Sequence, residues 1–236
     1  WEDIFISTGK EYKGIVIDQL PELPEENIII EPEMRDVGPA VGLVTSIFAK
    51  RNPDEPFVIL WGSDHLVKKE DVFRDALSAA EKIVAENPQK IVFVGQKPRF
   101  ASQNLGYIEF GDKIKDIGDI PIYSFSGFKY RPHLSTAEQF IKGGHHAWNL
   151  GYFVTTPKFL WYLFETLVPD LYKDLLKIYD AVDTPEYESV LTEVYPKVEK
   201  ISFDNAIPER MDIKYGNVIS VDIGWSDIGA WEALKE

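Results

Sequence analysis

Gly224-Trp225-Ser226-Asp227-Ile228-Gly229-Ala230-Trp231 lies near the end of the chain, and Trp61-Gly62-Ser63-Asp64-His65 lies far upstream. Each stretch places one acidic residue just past an apolar run, Val218 to Ile223 in one case and Phe57 to Trp61 in the other, where a strand would end. Open α/β sheets hold ligands beyond the carboxyl ends of their strands. Asp64 and Asp227 could therefore converge on one divalent cation, an arrangement suited to chemistry on the phosphates of a nucleotide. No Gly-rich phosphate loop occurs anywhere in the 236 residues.

Working outward, strand and helix signals alternate through the first half. Ile4-Phe5-Ile6 reads as a strand, residues 10–20 as a helix stopped by Pro21, Ile28-Ile29-Ile30 as a strand, and residues 39–51 as a helix opened by Gly38-Pro39. Phe57 to Trp61, residues 69–86 and Ile91 to Val94 continue the series as strand, helix and strand. This predicts a βαβ succession with short, doubly buried parallel strands. Farther on, Gly106 to Phe110 and Ile122 to Phe128 read as strands with no helix between them, which predicts a mixed sheet or an antiparallel excursion. A helix at 135–142 follows. Residues 157–194 read as largely helical, interrupted at Pro169 and Pro185, then Val218 to Ile223 as a strand and 227–235 as a closing helix. No repeat or linker divides the chain, so one domain over 1–236 is expected.

With 44% hydrophobic and 13% aromatic residues, the chain can bury a real core. A net charge of -14 argues against general binding to nucleic acid or an anionic membrane, because clustered Lys and Arg hold phosphate backbones. An acidic enzyme handling phosphates would need metal ions. The lack of cysteine excludes disulfides, thiolate catalysis and Cys-ligated zinc, and the default compartment is the cytoplasm. No apolar run reaches the ~20 residues of a membrane span. The chain begins at Trp1, inside an apolar segment that reads as a strand under way, so upstream residues are expected.

Five segments occur in order: Glu31-Pro32 with Gly38-Pro39-Ala40, Ser63-Asp64-His65, Gly106-Tyr107-Ile108-Glu109, Trp148-Asn149-Leu150-Gly151-Tyr152-Phe153, and Trp225-Ser226-Asp227-Ile228-Gly229. Together they resemble the mannose-1-phosphate guanylyltransferases, within the sugar-1-phosphate nucleotidyltransferases, over nearly the whole chain. The resemblance implies a Rossmann-like mixed, mainly parallel sheet flanked by helices. It also implies that a first strand and its Gly-rich loop lie outside this sequence, leaving an N-terminally incomplete nucleotidyltransferase domain that would be nearly inactive alone. The implied reaction is Mg²⁺-dependent. A phosphate oxygen of mannose 1-phosphate attacks the α-phosphorus of GTP, giving GDP-mannose and pyrophosphate without a covalent enzyme intermediate.

Residue by residue, the resemblance assigns metal binding and catalysis to Asp64 and Asp227. Read locally, Asp64 could equally end a strand or cap the next helix, and Asp227 could simply sit at a helix dipole. Arg131, in Phe128-Lys129-Tyr130-Arg131-Pro132, would grip the phosphate of the sugar with its planar fork. Tyr130 stands there in place of a carboxylate, which leaves other acceptor sugars open. Glu31, Gly38 and Pro39 correspond to the nucleotide-binding strand and loop, where a carboxylate can accept from guanine N1–H and N2–H₂. That loop departs from the usual Asn-Thr-Ala-Pro, standing here as Asp36-Val37-Gly38-Pro39. Gly106, Tyr107, Asn149 and Asp204 correspond to the sugar side, and Trp148, Tyr152 and Phe153 read as core packing. His145-His146 reads as a polar turn rather than a metal pair. A non-catalytic nucleotidyltransferase-like subunit is the alternative from another class. A homodimer is among the assemblies such a chain allows.

Overall fold

The computed structural model describes residues 1–62 and 64–227. The first part of the chain runs β1 (Ile6–Gly9), α1 (Lys13–Gln19), β2 (Ile28–Glu31), α2 (Val37–Arg51), β3 (Phe57–Leu60), β4 (Leu66–Val67), α3 (Glu70–Glu86) and β5 (Ile91–Gln96). A hairpin of β6 (Tyr107–Ile117) and β7 (Ile120–Lys129) follows, then α4 (Leu134–Gly143) and β8 (His146–Thr155). Four helices come next: α5 (Pro157–Leu167), α6 (Pro169–Ala181), α7 (Tyr187–Val194) and the short α8 (Phe203–Ala206). The described chain closes on β9 (Gly216–Val221) and β10 (Trp225–Ser226). The helix expected at 227–235 lies outside the described residues beyond Asp227. No described helix is long and apolar enough to cross a membrane.

Two compact units result, Trp1–Pro53 with Leu160–Ile207, and Asp54–Phe159 with Pro208–Glu236. In the first, β1 and β2 pair in parallel with Ile6 opposite Ile28 and Gly9 opposite Glu31. Helix α2 is capped by Asp36, whose carboxylate accepts from Val37 N–H at 2.7 Å while its own backbone takes φ +77°. Helix α2 packs closely on α6. A Cβ on Gly42 would stand 2.5 Å from Leu175 Cδ1, so the bare glycine allows the approach.

The second unit is built on a six-stranded mixed sheet in the order β3-β8-β5-β9-β7-β6. β5 and β9 pair in parallel, β8 runs antiparallel between β3 and β5, and β7 and β6 complete the antiparallel side. β3, β5 and β9 thus share one direction, the Rossmann-like component, with β8 opposed. The start of β8 also pairs with β6, Trp148 opposite Tyr107, which closes the pairings into a ring. Helix α3 buries Ala76, Ala79, Ala80, Ile83 and Val84, an i, i+3, i+4 stripe, onto this sheet.

Two expectations need correction. β3 is not doubly buried: Val58 and Leu60 are 41% and 48% exposed, because β3 is the edge of the sheet and only alternate residues face the core. It also does not neighbour β5, since β8 lies between them. No strand was expected at 146–155. There Asn149 and Gly151 interrupt the apolar alternation, Gly151 takes φ +74°, and the β5–β8 register shifts between Val94 and Gly95.

Candidate active site

The site in the second unit starts from a two-residue ladder. β10 pairs antiparallel with β4, Trp225 opposite Val67 and Ser226 opposite Leu66. Asp227 directly follows Ser226, and His65 and Asp64 directly precede Leu66, so the ladder brings the segments that bear the two aspartates side by side. His65 is a neighbour that they share: its Nε2 is 3.9 Å from Asp64 Oδ1, and both carboxylates act on its charge. Burial nonetheless holds its imidazole below the ordinary histidine pKa, with Asp64 and Asp227 opposing. The Asp64 side chain is 83% exposed, whereas Asp227 is half-buried.

Aromatic rings fix this corner. His65 Nδ1 is 2.7 Å from Tyr152 Oη, and its ring meets Trp225 edge-on at 4.9 Å. Burial raises the Tyr152 hydroxyl pKa, with Trp225 opposing and the charge of Asp64 adding. Asp64 does not cap α3, whose first-turn boundary is Lys69.

Behind the ladder lies a polar network that the sequence reading did not anticipate. Gln96, at the end of β5, is fully buried. Its Oε1 accepts from Ile223 N–H at 3.0 Å and Trp225 N–H at 3.3 Å, while its Nε2 donates to Asp222 Oδ1 at 2.9 Å and the Lys97 carbonyl at 3.0 Å. Asp222 also pairs with Lys69 and accepts from Gly224 N–H at 3.0 Å. The Lys69 ammonium, then the Gln96 amide, hold the Asp222 carboxyl down to about 2. A glutamine ending the apolar run Ile91 to Gly95 was the available signal.

Gly106 and Asn149, both expected on the sugar side, are brought together. The Gly106 carbonyl accepts from Asn149 N–H at 2.8 Å, and a Cβ on Gly106 would stand 2.9 Å from Phe128 Cζ. Asn149 Oδ1 accepts from Gly151 N–H at 3.1 Å, which uses the side chain to hold the turn. Tyr107 is fully buried, and its hydroxyl is spent on Ser102, accepting from N–H at 2.9 Å and donating to the carbonyl at 3.1 Å. Only its backbone remains for a ligand. Arg131 is exposed, has φ +41° and lies over the Tyr130 ring at 5.0 Å. Trp148, Tyr152 and Phe153 are buried, as core packing requires. His146 opens β8 and stacks on Phe140 at 3.8 Å rather than lying in a turn, because its ring covers the end of α4.

The remaining expected residues lie in the first unit. Glu31 ends β2, and both its oxygens are engaged: Oε2 accepts from Tyr195 Oη at 2.7 Å and Oε1 from Ser7 Oγ at 3.4 Å. Burial, then the Glu31 charge, push the Tyr195 hydroxyl pKa up. Gly38 N–H donates to the Ile201 carbonyl at 3.0 Å, and a Cβ there would clash with that oxygen. Gly38 and Pro39 are buried in the first turn of α2. Asp204 is 9% exposed in the first turn of α8.

The donor set at Asp64 and Asp227 fits a hard cation, since magnesium is held by one or two carboxylates and draws further ligands from water and phosphate. Among the described residues, no group of three or more His, Asp or Glu converges on a metal position.

Relatives and solved structures resemble the chain over nearly its full length. Mannose-1-phosphate guanylyltransferase 2 of Escherichia coli O157:H7 is 30% identical, covering 97% of this chain and 48% of its own length. The chain thus spans about half the length of that relative. A solved structure named mannose-1-phosphate geranyltransferase, from Thermus thermophilus, superposes with a TM-score of 0.80 at 24% identity, over 98% of this chain and 62% of that one. A structure named mannose-6-phosphate isomerase, from Helicobacter pylori, gives 0.74 at 17% identity, over 95% and 84%. Both show the shared fold alone. The nucleotidyl transferase family matches residues 1–236, and the chain belongs to that family.

Proposed function

We propose that the protein containing this chain transfers GMP from GTP to mannose 1-phosphate, releasing pyrophosphate and forming GDP-mannose. The observation that carries this reading is the β4–β10 ladder, which gathers Asp64 and Asp227 beside His65 in a nucleotidyl transferase chain. In the reaction a phosphate oxygen of the sugar phosphate forms a bond to the α-phosphorus of GTP. The α–β bridging bond breaks, and its electrons leave on pyrophosphate.

Asp64 and Asp227 would hold Mg²⁺, which when bound neutralises the phosphate charge that builds as pyrophosphate departs. Burial holds the His65 imidazole below the ordinary histidine pKa, which disfavours a competing positive charge beside them. Arg131, exposed with a planar donor fork, is assigned to the phosphate of the sugar. The Gly106 backbone and Asn149, joined by their own hydrogen bond, are assigned to the sugar hydroxyls, with Tyr107 fixing that strand from the core. Glu31, Gly38 and Pro39 are assigned to the nucleotide and Asp204 to the sugar. For Glu31 this use requires lone pairs beyond those that already accept from Tyr195 and Ser7. The compartment proposed is the cytoplasm.

Tyr130, standing where the resembled family carries a carboxylate, motivates a second reading, in which the acceptor is another sugar 1-phosphate. Pyrophosphate release by the intact protein, assayed with GTP and a panel of sugar 1-phosphates, decides between them. Mannose 1-phosphate should be the preferred acceptor, and indifference to the configuration of the 2-hydroxyl would reject it.

A further inference from the structure

We propose that Gln96 is a positioning residue for the cation site, holding the loop before β10 so that Asp227 arrives beside the segment bearing His65 and Asp64. The inference rests on the metal role proposed for the two aspartates but concerns a residue that the resemblance does not assign.

Gln96 is fully buried, yet every polar group on it is used. Its carbonyl oxygen accepts from two backbone N–H groups, those of Ile223 and Trp225, and its amide nitrogen donates to Asp222 Oδ1 and the Lys97 carbonyl. A carboxamide offers two acceptor sites on its oxygen and two donor sites on its nitrogen within one planar group, which matches all four of these partners. A carboxylate here would face that of Asp222, and an apolar side chain would strand two buried N–H groups.

The clamp also controls the approach to β10. Residues 222–224 form a tight turn in which Gly224 takes φ +64° and donates to Asp222. The other side of the turn is sewn to the β4–α3 segment, Lys69 N–H donating to the Ile223 carbonyl at 3.0 Å and the Lys69 ammonium pairing with Asp222. Trp225, whose N–H the clamp holds, is the first residue of the β10 ladder, and Asp227 follows two residues later. A shift of this turn therefore displaces Trp225 and the short strand that leads into the carboxylate. Partners of this kind around metal ligands, when altered, typically weaken metal affinity by about 10- to 100-fold.

The test is Mn²⁺ binding to the intact protein, read from the loss of the free-ion electron paramagnetic resonance signal and independent of turnover. Wild type, Gln96→Glu, Asp222→Asn, the double variant Gln96→Glu/Asp222→Asn and Asp227→Asn are compared. Gln96→Glu should weaken binding by about 10- to 100-fold. The double variant exchanges amide and carboxylate across the contact with residue 222, though not that with the Lys97 carbonyl, and should recover part of the loss. If Gln96→Glu does not fold, as judged by near-ultraviolet circular dichroism, Asp222→Asn alone should still weaken binding, since its amide nitrogen faces Lys69. Wild-type affinity in Gln96→Glu, or in Asp222→Asn where that variant stands in, overturns the proposal when Asp227→Asn has lost binding. A double variant no better than Gln96→Glu also overturns it. Wild-type affinity in Asp227→Asn instead removes the metal reading itself.

Discussion

His65 Nδ1 and Tyr152 Oη lie 2.7 Å apart, joining the segment after β3 to the middle of β8. The hydrogen bond holds the imidazole edge-on to Trp225 and within 3.9 Å of Asp64. It is thus the contact through which the core of the sheet orients the corner bearing both aspartates.

Tyr152→Phe keeps the ring and removes the hydroxyl. A half-buried imidazole nitrogen then loses its partner, at a cost of about 1–2 kcal/mol. For a chain of this length each kcal/mol lowers Tm by about 2–4 °C, which thermal unfolding by circular dichroism can measure. An unchanged Tm would mean that the hydrogen bond contributes nothing to holding His65.

Gly151→Ala should be more damaging. Its backbone sits at φ +74°, and a Cβ would stand 2.0 Å from Trp61 Nε1. The left-handed conformation alone costs a residue with a Cβ about 1–2 kcal/mol, and Trp61 must move besides. We expect a loss of more than about 2 kcal/mol in urea unfolding, with altered near-ultraviolet dichroism from the displaced indole.

At alkaline pH the first unit should lose stability. Burial pushes the Tyr187 hydroxyl up to about 12 and raises that of Tyr195 as well, whereas an unfolded tyrosine ionises near 10. The folded state therefore holds its protons longer than the unfolded state does. Stability is intact below the unfolded value and falls as pH rises from about 10 toward the folded value of Tyr187, about 12. Phenolate absorbance at 295 nm should show these groups ionising late and together with unfolding. Ionisation of every tyrosine near the ordinary value, with the fold intact, would contradict the burial.

Much of this was legible in the sequence where a period is short and local. The stripe Ala76, Ala79, Ala80, Ile83 and Val84 announces α3, and the continuous run Ile91 to Val94 announces a strand buried on both faces. β8 escaped because Asn149 and Gly151 break its alternation for reasons visible only in three dimensions: one side chain caps its own turn, and the other position makes room for Trp61. The two aspartates were legible as the ends of apolar runs. Their meeting depends on a two-residue ladder between distant segments, which no periodicity reports. Gln96 read as the end of a strand because its partners, Asp222 to Trp225, are distant in sequence. The carboxylate of Glu31 read as open to a base, while the structure gives it Tyr195 and Ser7.

Asp64 and Asp227 together are proposed to serve nucleotidyl transfer. The most direct measurement is pyrophosphate release by the intact protein with GTP, Mg²⁺ and mannose 1-phosphate, for wild type, Asp64→Ala and Asp227→Ala. Asp64→Ala should retain its fold, since Asp64 is largely exposed; each variant, checked for its fold by circular dichroism, should lose about 10²–10³ in kcat, the scale of removing one preorganised electrostatic group. Undiminished turnover in either variant would contradict the account.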